Sequence, residues 1–350
     1  MIMTKKHLPA KPDRNGALVR EPSLDELTEE FIRAQDVRES SRESYRKGLK
    51  KFLTWLKGRG ITSPSRETIL EYKAELQESG LSSFSVSSYI VTVRKFFTWL
   101  EATRGLPNIA KGIKGAKRAR GFRKDPLTLS QVLELLASID RTELRGLRDY
   151  ALILLMTTTG LRTIEVIRAN VGDIRQEGGE ALLWIQGKGR DEKDEPVILP
   201  AETLKPLYEY LTARGSARPD APLFVSLSHR NWGRRLTTRT LRRIVKDRLR
   251  AIGIDSDRLT AHSVRHTCIT LALQAGATVQ EAQALARHAN INTTLIYAHN
   301  IDRIKQAPER KIAALLSGNG DNTSNTSNTS NTVLPTNEEL CRVTYGGKGV

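Results

Sequence analysis

The sequence predicts a mainly α-helical protein with one small β-sheet, arranged as a four-helix N-terminal domain followed by a mixed α/β domain. Three observations carry that expectation. Apolar residues recur at helical spacing through most of residues 23–317. Strand character is confined to two short runs, EALLWIQ (180–186) and EPVILP (195–200). A lysine- and glycine-rich stretch without helical pattern, residues 106–126, divides the chain, and 350 residues accommodate two domains.

Residues 1–22 are polar, carry proline and glycine, and read as a flexible leader. Regular structure begins at SLDELTEEFI, where Ser23 and Glu26 form a capping-box pattern. Ser40 and Glu43 repeat that pattern ahead of a second helix, in which Tyr45, Leu49, Phe52, Leu53 and Leu56 recur at helical spacing and Gly58 and Gly60 mark the end. A third helix covers roughly 65–78. A fourth, roughly 83–103, carries Val86, Tyr89, Ile90, Val93, Phe97 and Leu100 on one face. These four amphipathic helices make a domain over 23–105, followed by the basic linker 106–126.

The second domain, 127–317, opens at TLSQVLELLASI with Thr128 as helix cap. Residues 150–156 form an apolar run suited to a buried helix, ended by TTTG. The two strands flank the hairpin connection GKGRDEKD. Pro308 at a helix start, Ile312, Leu315 and Leu316 on one face, and Gly318 at the end describe a short amphipathic helix. Residues 318–350 open on a repeat of asparagine, threonine and serine and are expected to be a disordered tail.

The formal charge is +17. A chain this basic most often meets a polyanion, usually nucleic acid. No stretch approaches the roughly 18 consecutive apolar residues of a membrane helix, and the first residues lack the apolar region of a secretory signal. Cys268 and Cys341 lie far apart, which argues against a disulfide framework or a zinc site and fits a reducing cytoplasm. The positive excess is concentrated twice. Residues 104–124 hold eight Lys or Arg and no acid, including Lys111, Lys114, Lys117, Arg118, Arg120, Arg123 and Lys124. Residues 229–250 hold nine and one acid, including Arg234, Arg235, Arg239, Arg242 and Arg243, and on a helix that density gives a cationic face suited to phosphates.

Several short motifs follow one another. TTTGLRTIEV places Arg162 just after a glycine break, with Glu165 three residues on to hold its guanidinium. Lys188 stands at the tip of the hairpin. HSVRH sets His262 and Arg265 three residues apart, on one helix face. LARHANINTTLIYAH supplies His288 and, nine residues later, Tyr297. Taken singly, each fits an ordinary surface ion pair, a solvated lysine or a packing tyrosine.

Taken together and in this order, TGLRTIEV, a lysine between two strands, HSVRH and ARHANINTTLIYAH resemble the tyrosine recombinase (phage integrase) family. The resemblance covers roughly 23–317 and is to the simple two-domain, Xer- or Cre-like members. It implies an N-terminal SAM-like core-binding domain and a mixed α/β catalytic domain, closed as a C around double-stranded DNA. It implies a site-specific recombinase or integrase that cleaves and rejoins strands through a 3′-phosphotyrosyl link and a Holliday junction, as a tetramer on two sites and a monomer or weak oligomer when free. It implies no metal, no ATP, no membrane, and a cytoplasmic, nucleoid-associated enzyme. One departure stands out: Ala286, Arg287 and His288 occupy the place of the family's frequent Leu-Gly-His, so that Arg287 would add a phosphate contact or alter the local backbone fit. The alternatives are a type IB topoisomerase-like nicking-closing enzyme, which usually lacks a histidine where His262 stands, and a non-catalytic DNA-binding protein of the same fold.

The implied reaction assigns the roles. Negative charge grows on the phosphate oxygens in the transition state, and the guanidinium forks of Arg162 and Arg265 suit it. A phenol pKa near 10 leaves about one molecule in a thousand ionised at pH 7, a cost of roughly 4 kcal/mol, so Tyr297 needs a base, for which His262 is the candidate. Lys188 is the candidate acid for the leaving 5′ oxygen, His288 a hydrogen bond to the phosphate, and Glu165 a support for Arg162. His266 is expected to point elsewhere on the helix in a structural role, and Cys268 to be a small buried residue.

Overall fold

The computed structural model describes residues 11–12, 18–19, 22–117, 125–187, 189–215, 218–305 and 308–317. The chain divides into two compact units, 1–121 and 122–350. In the first, Lys11–Pro12 (β1) and Leu18–Val19 (β2) pair antiparallel ahead of the helices. Four helices follow: α1 (Leu24–Ala34), α2 (Glu39–Gly58), α3 (Arg66–Glu78) and α4 (Ser83–Arg104). The Ser23 box forms as expected, with Glu26 N donating to Ser23 Oγ and Ser23 N to Glu26 Oε2 at 2.6 Å. The Ser40 box does not form. Helix α2 starts two residues earlier, behind Arg38, Ser40 lies inside it, and the Glu43 carboxylate takes Arg46 Nη1 at 2.7 Å instead. An exposed carboxylate one turn from an arginine finds a better partner there than a backbone amide already inside the helix.

The core of this unit is aromatic. Phe31 packs edge-on against Phe96 with ring centroids 5.6 Å apart, and Phe52 meets Tyr72 at 5.0 Å. Gly48 brings α2 close to α4: a Cβ there would stand 3.0 Å from the Thr92 side chain. The segment read as a linker is partly structured. Ala110 and Ile113 are buried in the helical core, and Ser87 Oγ on α4 donates to the carbonyl of Ala116. The apolar residues scattered among its lysines were the missed signal. Lys111, Lys114 and Lys117 remain exposed.

The second unit is built on α6 (Leu144–Thr159), which packs against α8 (Ala201–Arg214) and α10 (Ala261–Gln274) and is preceded by α5 (Leu129–Ala137), capped by Thr128 as expected. The three threonines before Gly160 do not end α6. The hydroxyls of Thr157, Thr158 and Thr159 donate back to the carbonyls of Ile153, Leu154 and Leu155, so they stay in the helix. Gly160 ends it in the left-handed region, where its bare Cα lies near Cys268 on α10. A short α7 (Thr163–Arg168) follows.

The sheet has three antiparallel strands in the order β3-β4-β5: β3 (Ile174–Glu177), β4 (Glu180–Ile185) and β5 (Glu195–Ile198). Ala181, Leu183 and Ile185 face the core in alternation along β4, with Leu183 opposite Val197. Strand β3 was not legible because its four residues are mostly polar and exposed. Helices α9 (Thr238–Ala251), α11 (Val279–Ala286), α12 (Asn292–Lys305) and α13 (Pro308–Leu316) complete the unit. Among the described residues no helix is long and apolar enough to cross a membrane. The expectations of a flexible leader and a disordered tail fall almost wholly outside the described residues.

Phe52 has 1% of its surface exposed and touches three aromatic neighbours. Phe52→Ala is expected to destabilise the helical unit by about 3–5 kcal/mol, read as a shift of the urea midpoint in far-UV circular dichroism. A change under about 1 kcal/mol would contradict this packing.

Candidate active site

The site is assembled where the end of α6, the start of α10, the turn after α11 and the middle of α12 meet. Arg162 is the cap residue of α7, placed by the Gly160 turn. Its backbone N–H donates to Glu165 Oε2 at 2.7 Å, and its Nη1 donates to Glu165 Oε1 at 2.6 Å. Glu165 has no exposed surface. The pair is therefore no surface ion pair: a buried carboxylate grips one guanidinium through both side chain and backbone. Arg162 Nη2 donates to the carbonyl of Arg287 at 3.0 Å, and the Arg162 side chain keeps 26% of its surface open.

Arg265 on α10 is 3% exposed. Its Nη1 donates to the Gly160 carbonyl at 2.5 Å and its Nη2 to the carbonyl of Ala286. Desolvation, followed by the nearby charges of Arg162 and Arg287, pulls its pKa down to about 10, so it stays charged at neutral pH. Arg287 takes the left-handed C-cap position of α11, φ 52°, the single non-glycine residue with positive φ among the described residues. His288 N donates to Gln283 O and Arg287 N to Ala284 O, closing the turn as a Schellman motif. An L-residue at that position costs roughly 1–2 kcal/mol that glycine would not. Three guanidiniums thus stand around the single carboxylate of Glu165.

Tyr297 lies within α12, 4% exposed. Its hydroxyl is in hydrogen-bond contact with Nδ1 of His266. The expectation that His266 points elsewhere is corrected: His262 and His266 are four residues apart and therefore share a face one turn apart. Their ring centroids are 4.5 Å apart, and His266 lies 5.3 Å from the Tyr297 ring. The i,i+4 spacing was visible in HSVRH and points to the outcome. His262 itself is exposed at the rim. His288 stacks 6.4 Å from the tyrosine ring, with its Nδ1 2.9 Å from Thr294 Oγ1.

Burial, which penalises the phenolate, raises the Tyr297 pKa to about 12, with Arg265 pulling weakly the other way. Burial also lowers His266 to about 4, with His262 and Arg265 adding to the effect, and lowers His288 to about 4 with help from Arg265, Arg162 and Arg287. Both histidines are neutral at pH 7. Cys268 is buried against Gly160, and burial raises its thiol to about 11, which makes it the inert small residue expected.

Lys188 lies outside the described residues, as do Arg118, Arg120, Arg123 and Lys124. The other lysine of the same turn, Lys193, is paired with Asp173 at 2.5 Å. On α9, Leu241, Ile244, Val245 and Leu249 face inward while Arg239, Arg242 and Arg243 are exposed. Arg234 is exposed as well. Arg235 is given over to the fold: its Nη1 donates to the carbonyls of Ile167 and Ala169, and its Nη2 to Asn170 Oδ1.

Both halves of the chain have known relatives. Residues 126–303 match the phage integrase family, and residues 24–104 match the SAM-like N-terminal domain of phage integrases. The tyrosine recombinase XerD of Listeria monocytogenes is 30% identical over 79% of this chain and 94% of its own. The tyrosine recombinase XerC of Herpetosiphon aurantiacus is 31% identical over 73% of this chain and 83% of its own. In fold, the chain resembles the XerH site-specific recombinase in a post-cleavage complex with palindromic difH substrate, with a TM-score of 0.65 and 22% identity over 84% of each chain. It also resembles a lambda integrase dimer bound to a COC′ core site, with a TM-score of 0.61 and 15% identity over 77% of this chain and 96% of that one. The chain belongs to the phage integrase family, the tyrosine recombinases. Its activity is accordingly that of a site-specific recombinase.

The lowered histidines tie stability to pH. The unfolded chain binds protons on His266 and His288 near pH 6.5, the folded chain only near 4. Stability is therefore complete above about pH 6.5 and falls as the pH drops toward 4. The melting temperature should decline from pH 7 to 5, and the double variant His266→Gln, His288→Gln should flatten that slope. An unchanged slope would refute the burial of neutral imidazoles.

Proposed function

We propose that the chain cleaves and rejoins duplex DNA with Tyr297 as nucleophile and with Arg162, Arg265 and His288 around the scissile phosphate. The observation that carries this reading is the clustering of two braced guanidiniums and one phenol, from α7, α10 and α12, with Arg265 close enough to feel both Arg162 and Tyr297. Tyr297 Oη attacks phosphorus and the bond to the 5′ oxygen breaks. The strand is left as a 3′-phosphotyrosyl ester and a 5′ hydroxyl. A 5′ hydroxyl from a second duplex then attacks the ester, and the reverse proton transfers restore the tyrosine. The bond energy is conserved in the ester, so no nucleotide cofactor enters.

Proton movement follows from the pKa values. Ionising the phenol outright at pH 7 from a pKa of about 12 costs about 7 kcal/mol, so proton loss and P–O bond formation must be concerted. His266, neutral and in contact with the hydroxyl, takes that proton through Nδ1, and His262 beside it at the rim passes it toward solvent. This shifts the first role from His262, the candidate read from the sequence, to its neighbour one turn on. Lys188 supplies a proton to the departing 5′ oxygen. Lys193, committed to Asp173, is not the donor.

The basic face of α9 and the exposed lysines 111, 114 and 117 support contacts to DNA phosphates. Helix α13 supports assembly into a tetramer on two sites: Ile312, Leu315 and Leu316 are 56%, 69% and 84% exposed, an apolar face suited to a second copy of the chain. Deleting 308–317 is expected to weaken exchange more than site binding.

On a nicked suicide substrate, Tyr297→Phe should bind its site yet form no covalent adduct, and an adduct would assign the nucleophile elsewhere. His266→Gln should slow adduct formation more than His262→Gln; the opposite order would return the role of base to His262. Lys188→Ala should be slow on ordinary DNA but close to wild type on a 5′-bridging phosphorothiolate, whose thiolate leaves without protonation. Equal slowing on both substrates would remove Lys188 as the acid. Strand exchange between two sites, as opposed to relaxation of supercoils alone, separates a recombinase from a topoisomerase.

A further inference from the structure

We propose that Arg287 is a positioning residue for strand transfer: its buried guanidinium braces Arg162 and Glu165 in place without itself touching the phosphate. The inference rests on the assignment of Arg162 and Tyr297 above and deepens it. The place of Arg287 in the chain is unfavourable in three ways. Its backbone is left-handed, φ 52°, a conformation that suits glycine. Its side chain is only 8% exposed, so a full charge is largely withdrawn from water. Its Nε is buried with no hydrogen-bond partner among the described residues.

The remaining donors explain why an arginine is held there. Nη1 donates to the carbonyls of Leu285 at 2.9 Å and Thr159 at 3.3 Å. Nη2 donates to the Gly160 carbonyl and to Glu165 Oε2, both at 3.2 Å. One side chain thus ties the turn after α11 to the end of α6, two segments more than a hundred residues apart in sequence. Gly160 O also accepts from Arg265, so the same turn carries both phosphate-facing arginines. Arg162 is held by Arg287 twice, directly at the Arg287 carbonyl and indirectly through Glu165. With both Nη groups turned to carbonyl and carboxylate oxygens, Arg287 has none aimed at a ligand. Of the two consequences expected for an arginine here, a phosphate contact and an altered backbone fit, neither describes its use as a brace.

Arg287→Gly isolates the side chain, because glycine keeps the left-handed backbone and the carbonyl that accepts from Arg162. Wild-type adduct formation on the nicked suicide substrate is the control: if the wild type forms none, or Tyr297→Phe still does, the underlying assignment fails and not this one. Given that control, Arg287→Gly, which loses one donor to Glu165 but also sheds the strained backbone and the buried charge, should stay folded at the assay temperature and keep its site affinity while adduct formation slows by about tenfold or more. Arg287→Lys, which keeps the charge without the fork, should not restore the rate, and added ethylguanidinium should restore part of it to Arg287→Gly. In a Glu165→Gln background, removing Arg287 should have little further effect, because both act through Arg162. A wild-type rate for Arg287→Gly overturns the proposal. So does a parallel loss of affinity and cleavage, which would mark a DNA contact, or a loss of folded structure, which would mark a purely structural role.

Discussion

A carboxylate sealed from water must be surrounded by donors, and Glu165 sets that condition for the whole pocket. It accepts from the backbone and side chain of Arg162 and from Arg287. Removing one such donor would leave a buried charge short of partners, which folding tolerates poorly. The geometry of Arg162 is thereby fixed before any ligand arrives. Around Glu165 stand three positive charges against its one negative charge, an excess that suits the phosphodiester of the proposed reaction. The electrostatic work is done in advance, at the expense of a charged cluster in the folded state.

The tyrosine is held by the opposite means. Where the arginines are fixed by charge, Tyr297 is fixed by burial, among neutral histidines. Burial raises the pKa of the phenol and lowers those of the imidazoles, so a protonated hydroxyl and a neutral ring nitrogen face each other at neutral pH. In the proposed reaction the proton moves only as the bond to phosphorus forms, because free ionisation of so buried a phenol is costly. The same desolvation that raises the pKa of the tyrosine strengthens the electrostatic interactions it makes.

Long-range order in the catalytic unit converges on the turn at Gly160. Three back-bonded threonines carry α6 to that glycine, and its small size admits α10 closely enough for Cys268 to touch it. Its carbonyl receives both Arg265 and Arg287. A Cβ at that position would stand 3.3 Å from Cys268 Sγ, so any larger residue would press on α10 as well as strain the left-handed backbone. Away from the pocket, α9 separates its functions by face, with leucine, isoleucine and valine inward and arginines outward. Arg235, though part of the same basic run, is spent on carbonyls of the α7 turn.

Local signals were legible in the chain itself. Apolar periodicity gave the four helices of the first unit, the Ser23 and Thr128 caps gave two starts, an apolar run gave α6, and two short runs between turn signals gave β4 and β5. Arg162, Glu165, Arg265, His288 and Tyr297 were picked out as a set by the resemblance of their motifs, taken in order, to a known family; singly, each fitted an ordinary ion pair or packing residue. What escaped were competitions between partners. Glu43 chose Arg46 over the amide of Ser40, and the threonine hydroxyls bonded within α6. Ala110 and Ile113 found a core to enter, and polar β3 found a strand to pair with. The choice between His262 and His266 belongs to the same class: both face one way from α10, and only the docking of α12 decides which meets the phenol. Arg287 is the clearest case. Its sequence position marks an arginine in a turn, whereas three of its four side-chain partners lie more than a hundred residues earlier. Local propensity is a free energy between near neighbours along the chain; bracing is one between segments that only the folded core brings together.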